Sequence, residues 1–131
     1  MSHSSLSQLD DLEIYIQCDD LEKLESWLSQ QFEDFHVSRK SKKGCKFICQ
    51  HQNKTSHGMI VLNAGRTGFT SIWIDSRHGP WDNDVAMARA AQSQLSEMVR
   101  CVESAWSKGD DPDQWLQIDD DGENIIQWIT E

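Results

Sequence analysis

From Phe35 to Ser76 the chain carries no helical period; apolar and polar residues alternate in short runs separated by turn residues. Alternation of this kind sends successive side chains to opposite faces of an extended backbone. The runs cover about 35 to 42, then 45 to 52 after Lys43-Gly44, 58 to 63, and 69 to 76 after Gly65-Arg66-Thr67-Gly68. Each connection is short enough for a hairpin, so the segment reads as a meander of antiparallel strands. Ile60 and Leu62 share one face, as do Ile72 and Ile74, and that side must be covered.

The cover is expected from two helices. After a half-buried strand at Asp11 to Cys18, in which Leu12, Ile14, Ile16 and Cys18 alternate, Asp19 and Asp20 offer a cap. Leu21, Leu24, Trp27 (or Leu28) and Phe32 then predict a helix over about 20 to 32. Past Gly79-Pro80, Asp82-Asn83-Asp84 opens a second periodic segment. Val85, Ala88, Ala91 (or Gln92), Leu95, Met98, Val99, Val102 and Trp106 keep one stripe up to Lys108-Gly109. That spacing predicts a helix from about 82 to 107, close to 40 Å long. The tail, Gln114 to Ile129, is two apolar runs around Asp-Gly and reads as a hairpin, with a helix over 123 to 129 as the alternative. The expected fold class is therefore α+β: a single two-layer domain, an antiparallel sheet packed against two helices in the order β-α-β-β-β-β-α-β-β. Residues 1 to 9 read as a flexible tail and 10 to 131 as the domain.

A chain of 131 residues suffices for one core, and six Trp with four Phe offset a hydrophobic content of only 37%. No run approaches the roughly 18 apolar residues of a membrane span, and the N-terminus lacks the pattern of a signal peptide. The expected location is the cytoplasm, with no membrane partner, and there Cys18, Cys45, Cys49 and Cys101 should stay reduced.

The net charge of −10 is segregated along the chain. Residues 1 to 35 hold nine acids and one base, 36 to 77 eight bases and one acid, and 78 to 131 twelve acids and three bases. Folding of the middle block against the two ends is the expected outcome. The bases Arg39, Lys40, Lys42, Lys43, Lys46 and Arg66 nonetheless mark a basic patch, and with Phe47, Phe69 and Trp73 they resemble the surfaces that hold single-stranded nucleic acid.

No constellation specifies catalysis. Cys45, Cys49, His51 and His57 are zinc-ligand types, but alternation sets Cys45, Cys49 and His51 in a row instead of around a point. Asp75, Ser76 and His78 are adjacent in sequence without the relay a triad needs. In the acidic turn Asp119 to Glu123 a calcium-loop register would put Gln117 and Trp128 at ligand positions. The expectation is no catalytic residue, no metal and no cofactor.

The segment Trp73-Ile-Asp-Ser-Arg-His-Gly-Pro-Trp81-Asp-Asn-Asp84-Val-Ala-Met-Ala-Arg-Ala-Ala91 resembles short bacterial proteins grouped as a domain of unknown function, a likeness that transfers no catalytic role. The element order is similar to that of type III secretion chaperones, without their further C-terminal helix, and implies protein binding. The expected function is a non-enzymatic protein-binding module, chaperone-like, adaptor or inhibitor. Trp81, Trp115, His78 and Arg77 are its expected contacts with a protein partner of unspecified identity. Pairing of two copies is a further expectation. The alternatives are a nucleic-acid-binding module on the basic strands 36 to 77, and a small enzyme or metal protein on the Cys and His residues.

Overall fold

Leu12, Ile14 and Ile16 are buried while Glu13 and Tyr15 between them are half-exposed, so the first strand is a two-faced ribbon with one face sealed. In the computed structural model, which describes residues 11–64, 68–102 and 114–128, this strand lies near the centre of the sheet. The elements are β1 (Leu12–Ile16), α1 (Leu21–Gln31), β2 (Asp34–Ser41), β3 (Gly44–His51), β4 (Lys54–Val61), β5 (Thr70–Ile74), α2 (Asp84–Leu95), β6 (Val99–Cys101), β7 (Gln114–Asp119) and β8 (Gly122–Gln127). The described strands form one antiparallel sheet in the order β2-β3-β4-β5-β1-β6-β7-β8. With the two described helices on one face, this is the expected α+β, two-layer architecture.

Each helix begins where the sequence supplies a cap. Asp20 Oδ1 accepts from Lys23 N at 3.2 Å, and Asn83 Oδ1 accepts from Ala86 N at 2.8 Å. α1 buries Leu24, Trp27 and Leu28; α2 buries Met87, Ala88 and Ala91, and the two small alanines let it settle on β1 and β6. The helices are tied to each other by Gln94 Oε1, which accepts from Trp27 Nε1 at 2.7 Å and Gln31 Nε2 at 2.9 Å.

The second helix is the main departure from expectation. It stops at Leu95, because Ser96 turns left-handed (φ 58°, ψ 37°) and its N–H closes on Gln92 O at 2.9 Å. Its 12 residues span about 18 Å. The chain then enters β6, an additional strand, where Val99 and Cys101 are buried and Arg100 between them points the other way. Residues 103 to 107 of the expected helix, with Trp106 and the Lys108-Gly109 stop, lie outside the described residues. The four-strand meander agrees with expectation in number and order, but β4 starts at Lys54 and not at 58, because the β3–β4 turn is only Gln52 and Asn53, at φ 52° and 69°, the twist that suits a two-residue hairpin. The C-terminal segment is the hairpin β7–β8 and not a helix.

Helix-facing rows cross the sheet in register: Val37, Phe47, Gly58, Ile74 and Leu12 form one, and Lys40, Cys45, Ile60, Ile72 and Ile14 the next. Gly58 is required by its neighbour, since a Cβ there would meet the Phe47 ring at 2.2 Å and Trp73 O at 2.5 Å. Phe47 thus lies flat in the space a side chain would fill. Gly58→Ala is expected to cost about 1–3 kcal/mol, read as a lower denaturant midpoint with unchanged slope.

Candidate functional site

The rows on the sheet face away from the helices have a different chemistry. One runs Arg39, Lys46, Met59, Trp73, Glu13; another runs Val61, Ser71, Tyr15, Arg100, Gln117, Asn124. Two clusters on this side of the molecule, and one edge of the sheet, are candidates for binding.

At the basic end, Arg39, Lys43 and Lys46 rim a groove of about 420 Å³ whose floor is Gly44, Met59 and Val61. Gly44, at φ +147°, admits no side chain, because a Cβ would fall 1.8 Å from Ile60 O. The expected basic patch is thereby brought together only in part. Lys40 also lines the groove but is paired with Glu25, its Nζ 3.3 Å from Glu25 Oε1; Lys42 is exposed in the β2–β3 turn and does not line it; Arg66 lies outside the described residues. Lys40 with Glu25 is the one contact here in which the acidic first block neutralises a patch base, among the described residues.

At the other end lies an aromatic cluster. Trp128 packs 5.0 Å from Phe69, 5.1 Å from Trp115 and 5.4 Å from Tyr15, measured between ring centroids. The Arg100 guanidinium sits over Phe69 and Trp128 and donates from Nε to Gln117 Oε1 at 2.9 Å. Burial lowers its pKa from the ordinary guanidinium value. Sequence reasoning missed Arg100, and the alternation of Val99, Arg100 and Cys101 was the available signal.

The expected contact residues separate. Trp81 is only 6% exposed, stacked on Trp27 at 5.3 Å and met edge-on by Phe32. It belongs to the core between the helices, which corrects its reading as a surface anchor. Trp115 is 9% exposed and lies in β7, with its ring in the aromatic cluster. Arg77 and His78 are exposed near the start of α2.

The thiols and histidines do not converge. Cys45, Cys49 and His51 occupy alternate positions of β3, while His57 on β4 lies across from Ile48 on the opposite face, beside Asp75 Oδ2 at 3.7 Å. Among the described residues no group of three His, Cys, Asp or Glu side chains could hold a metal ion. Burial pushes both Cys45 and Cys49 up to about 12, Cys45 further aided by the nearby Glu25 carboxylate, so neither is a nucleophile at neutral pH. Ser56 and Ser76 bond to each other at 2.5 Å through their hydroxyls. In the native protein at pH 8, an alkylating reagent is expected to modify half-buried Cys18 well before Cys45 or Cys49, as peptide mass mapping would read out.

Three acids meet near β1. Asp84 Oδ1 accepts from Glu13 N at 3.3 Å, Glu13 Oε2 accepts from Ser71 Oγ at 2.8 Å, and Asp11 Oδ2 accepts from Trp73 Nε1 at 2.8 Å. Burial pushes the Asp84 carboxyl up to about 6 and raises Glu13 as well. A raised carboxyl holds its proton in the folded state after the unfolded chain has released it. The stability it contributes is therefore full below about pH 4 and lost as pH rises to about 6. Asp84→Asn keeps the acceptor oxygen and is expected to flatten the unfolding midpoint across that window, measured by thermal melts at pH 4 to 7.

The two sheet edges differ. β2 carries a bulge between Val37 and Arg39 and presents Arg39 and Lys40, features that blunt an edge. β8 pairs with β7 in unbroken register, contains no Lys, Arg or Pro, and is exposed from Gly122 to Ile125. Ile125 is 49% exposed, and Glu123 is drawn back toward α2 by Arg89 at 2.7 and 3.0 Å.

No described helix is long and apolar enough to cross a membrane. Compared with known proteins, the chain matches no family model, no curated protein and no solved structure. The class the geometry defines is thus architectural: an eight-stranded antiparallel sheet with two helices on one face, among the described residues.

Proposed function

We propose that this chain is a non-enzymatic protein-binding module that takes up an extended segment of a partner along β8. The observation that carries the reading is Ile125, a large apolar side chain 49% exposed on an edge strand that no bulge, proline or lysine protects. Added strands gain main-chain hydrogen bonds from such an edge and specificity from alternate side chains. Asp119, Asp120 and Asp121 precede the strand and favour a basic or amphipathic segment over an acidic one. Chaperone, adaptor and inhibitor roles all fit this mode of binding.

A second reading, single-stranded nucleic acid on the basic strands, has the Arg39, Lys43 and Lys46 groove in its favour. A net charge of −10 opposes a polyanion, and strongly salt-dependent oligonucleotide affinity would be needed to promote it.

The test is an array of extended peptides with alternating β-branched residues, flanked by Lys/Arg or by Asp/Glu, probed with the wild type and with Ile125→Lys. Basic peptides are expected to bind, with amide-exchange protection over 122 to 127, and Ile125→Lys to weaken them about tenfold or more at unchanged melting temperature. Equal binding by the two proteins, or protection elsewhere, would sink the edge reading.

A further inference from the structure

Arg100 occupies a place the rest of the charge pattern does not explain. It stands on β6 opposite Tyr15 of β1 and Gln117 of β7, on the face turned away from the helices. Its guanidinium carbon lies 4.5 Å from the Phe69 centroid and 4.6 Å from the Trp128 centroid, and since those centroids are 5.0 Å apart, the two rings meet the group from one side. Gln117 Oε1 holds its Nε edge at 2.9 Å. The remaining edge, with both Nη nitrogens, makes no hydrogen bond or ion pair with any described residue. Arg89 makes the opposite choice and spends its fork on Glu123, at 2.7 and 3.0 Å.

A guanidinium seated on two rings and held along one edge has lost much of the freedom a bound anion would otherwise have to restrain. Its free edge offers two parallel N–H donors, the geometry that a carboxylate accepts two-pronged. Ring walls exclude water beside those donors and strengthen the contact. The surrounding charge selects among anions: in a chain of net charge −10, with Glu13 on the strand next to β6, a monoanion meets less repulsion than a phosphate dianion or a nucleic-acid backbone. The rings of Phe69 and Trp115 are buried against their neighbours, which leaves no aromatic platform of theirs for stacking a base.

The geometry points to a carboxylate-binding site in which the Nη edge of Arg100, walled by Phe69 and Trp128, grips one carboxylate of a bound molecule. This site is separate from the β8 edge and does not depend on it. The carboxylate belongs either to a small free acid or to the C-terminus of a peptide, and the two sources are separable.

The experiment titrates the full chain with sodium acetate, inorganic phosphate and one short peptide in free-acid and C-terminally amidated forms, at constant ionic strength. It follows tryptophan fluorescence, for which Trp115 and Trp128 are reporters, together with calorimetry. Saturable carboxylate binding is expected, about tenfold weaker in Arg100→Lys, which keeps the charge but loses the fork, and lost in Arg100→Gln. Arg39→Gln, on a distant strand, is expected to bind as the wild type does. A free-acid peptide that binds more tightly than acetate, with its amide silent, assigns the site to a chain terminus; equal affinities assign it to a small acid, and both uphold it. The proposal is overturned by the absence of a saturable response, by phosphate binding more tightly than acetate, or by unchanged binding in Arg100→Gln. If circular dichroism shows Arg100→Gln to be unfolded, Arg100→Lys decides, and wild-type affinity there overturns the proposal.

Discussion

The pairing of β1 on both of its edges is the constraint on which the rest of the sheet depends. On one side Leu12 to Ile16 run against Ile74 to Thr70; on the other, Tyr15 and Ile16 meet Arg100 and Val99. The meander β2 to β5 and the group β6 to β8 are joined through this strand alone, among the described residues. Its buried side chains Leu12, Ile14 and Ile16 are at most 1% exposed and form the floor on which the helices rest. Full burial of such side chains contributes roughly 1.5–3 kcal/mol each, so loss of β1 packing removes a sizeable part of a marginal folding free energy.

Much of this arrangement is local enough to be legible. The hairpins declare themselves through alternation and turn residues, the two helix starts through Asp20 and Asn83, and Trp27 through its place on the apolar stripe of α1. The end of α2 is different, because Met98, Val99 and Val102 suit a helical stripe as well as an alternating strand, and Ser96 is a less conspicuous stop than glycine. What decides between the two is a tertiary fact: β1 and β7 need a strand between them, and Val99 to Cys101 fill that place. Trp81 likewise follows a loop in sequence and reaches the core through the rings of Trp27 and Phe32. The Arg100 cluster draws on positions 15, 69, 100, 115, 117 and 128, and no spacing rule links them.

The three charge blocks become a gradient across the sheet. Arg39, Lys43 and Lys46 lie at the β2–β3 end, and Asp119 to Asp121 at the β7–β8 end. α1 brings the acidic first block over the basic end through Glu25 and Lys40. Exposed ion pairs of this sort contribute at most about 1 kcal/mol each. The gradient therefore acts mainly on what the surface attracts, and leaves stability to the helix-facing rows.

The position of β1 in the chain also sets an order of events on the ribosome. Residues 12 to 16 are synthesised before both sets of their partners, Thr70 to Ile74 on one side and Val99 and Arg100 on the other. The hairpins between β2 and β5 can close as they emerge, whereas β1 waits for the whole of α1 and β2 to β4 before its first edge is met by β5. Throughout that interval a strand carrying Leu12, Ile14 and Ile16 has no sheet to join, and it is the segment of the nascent chain most in need of shelter from other unfolded molecules.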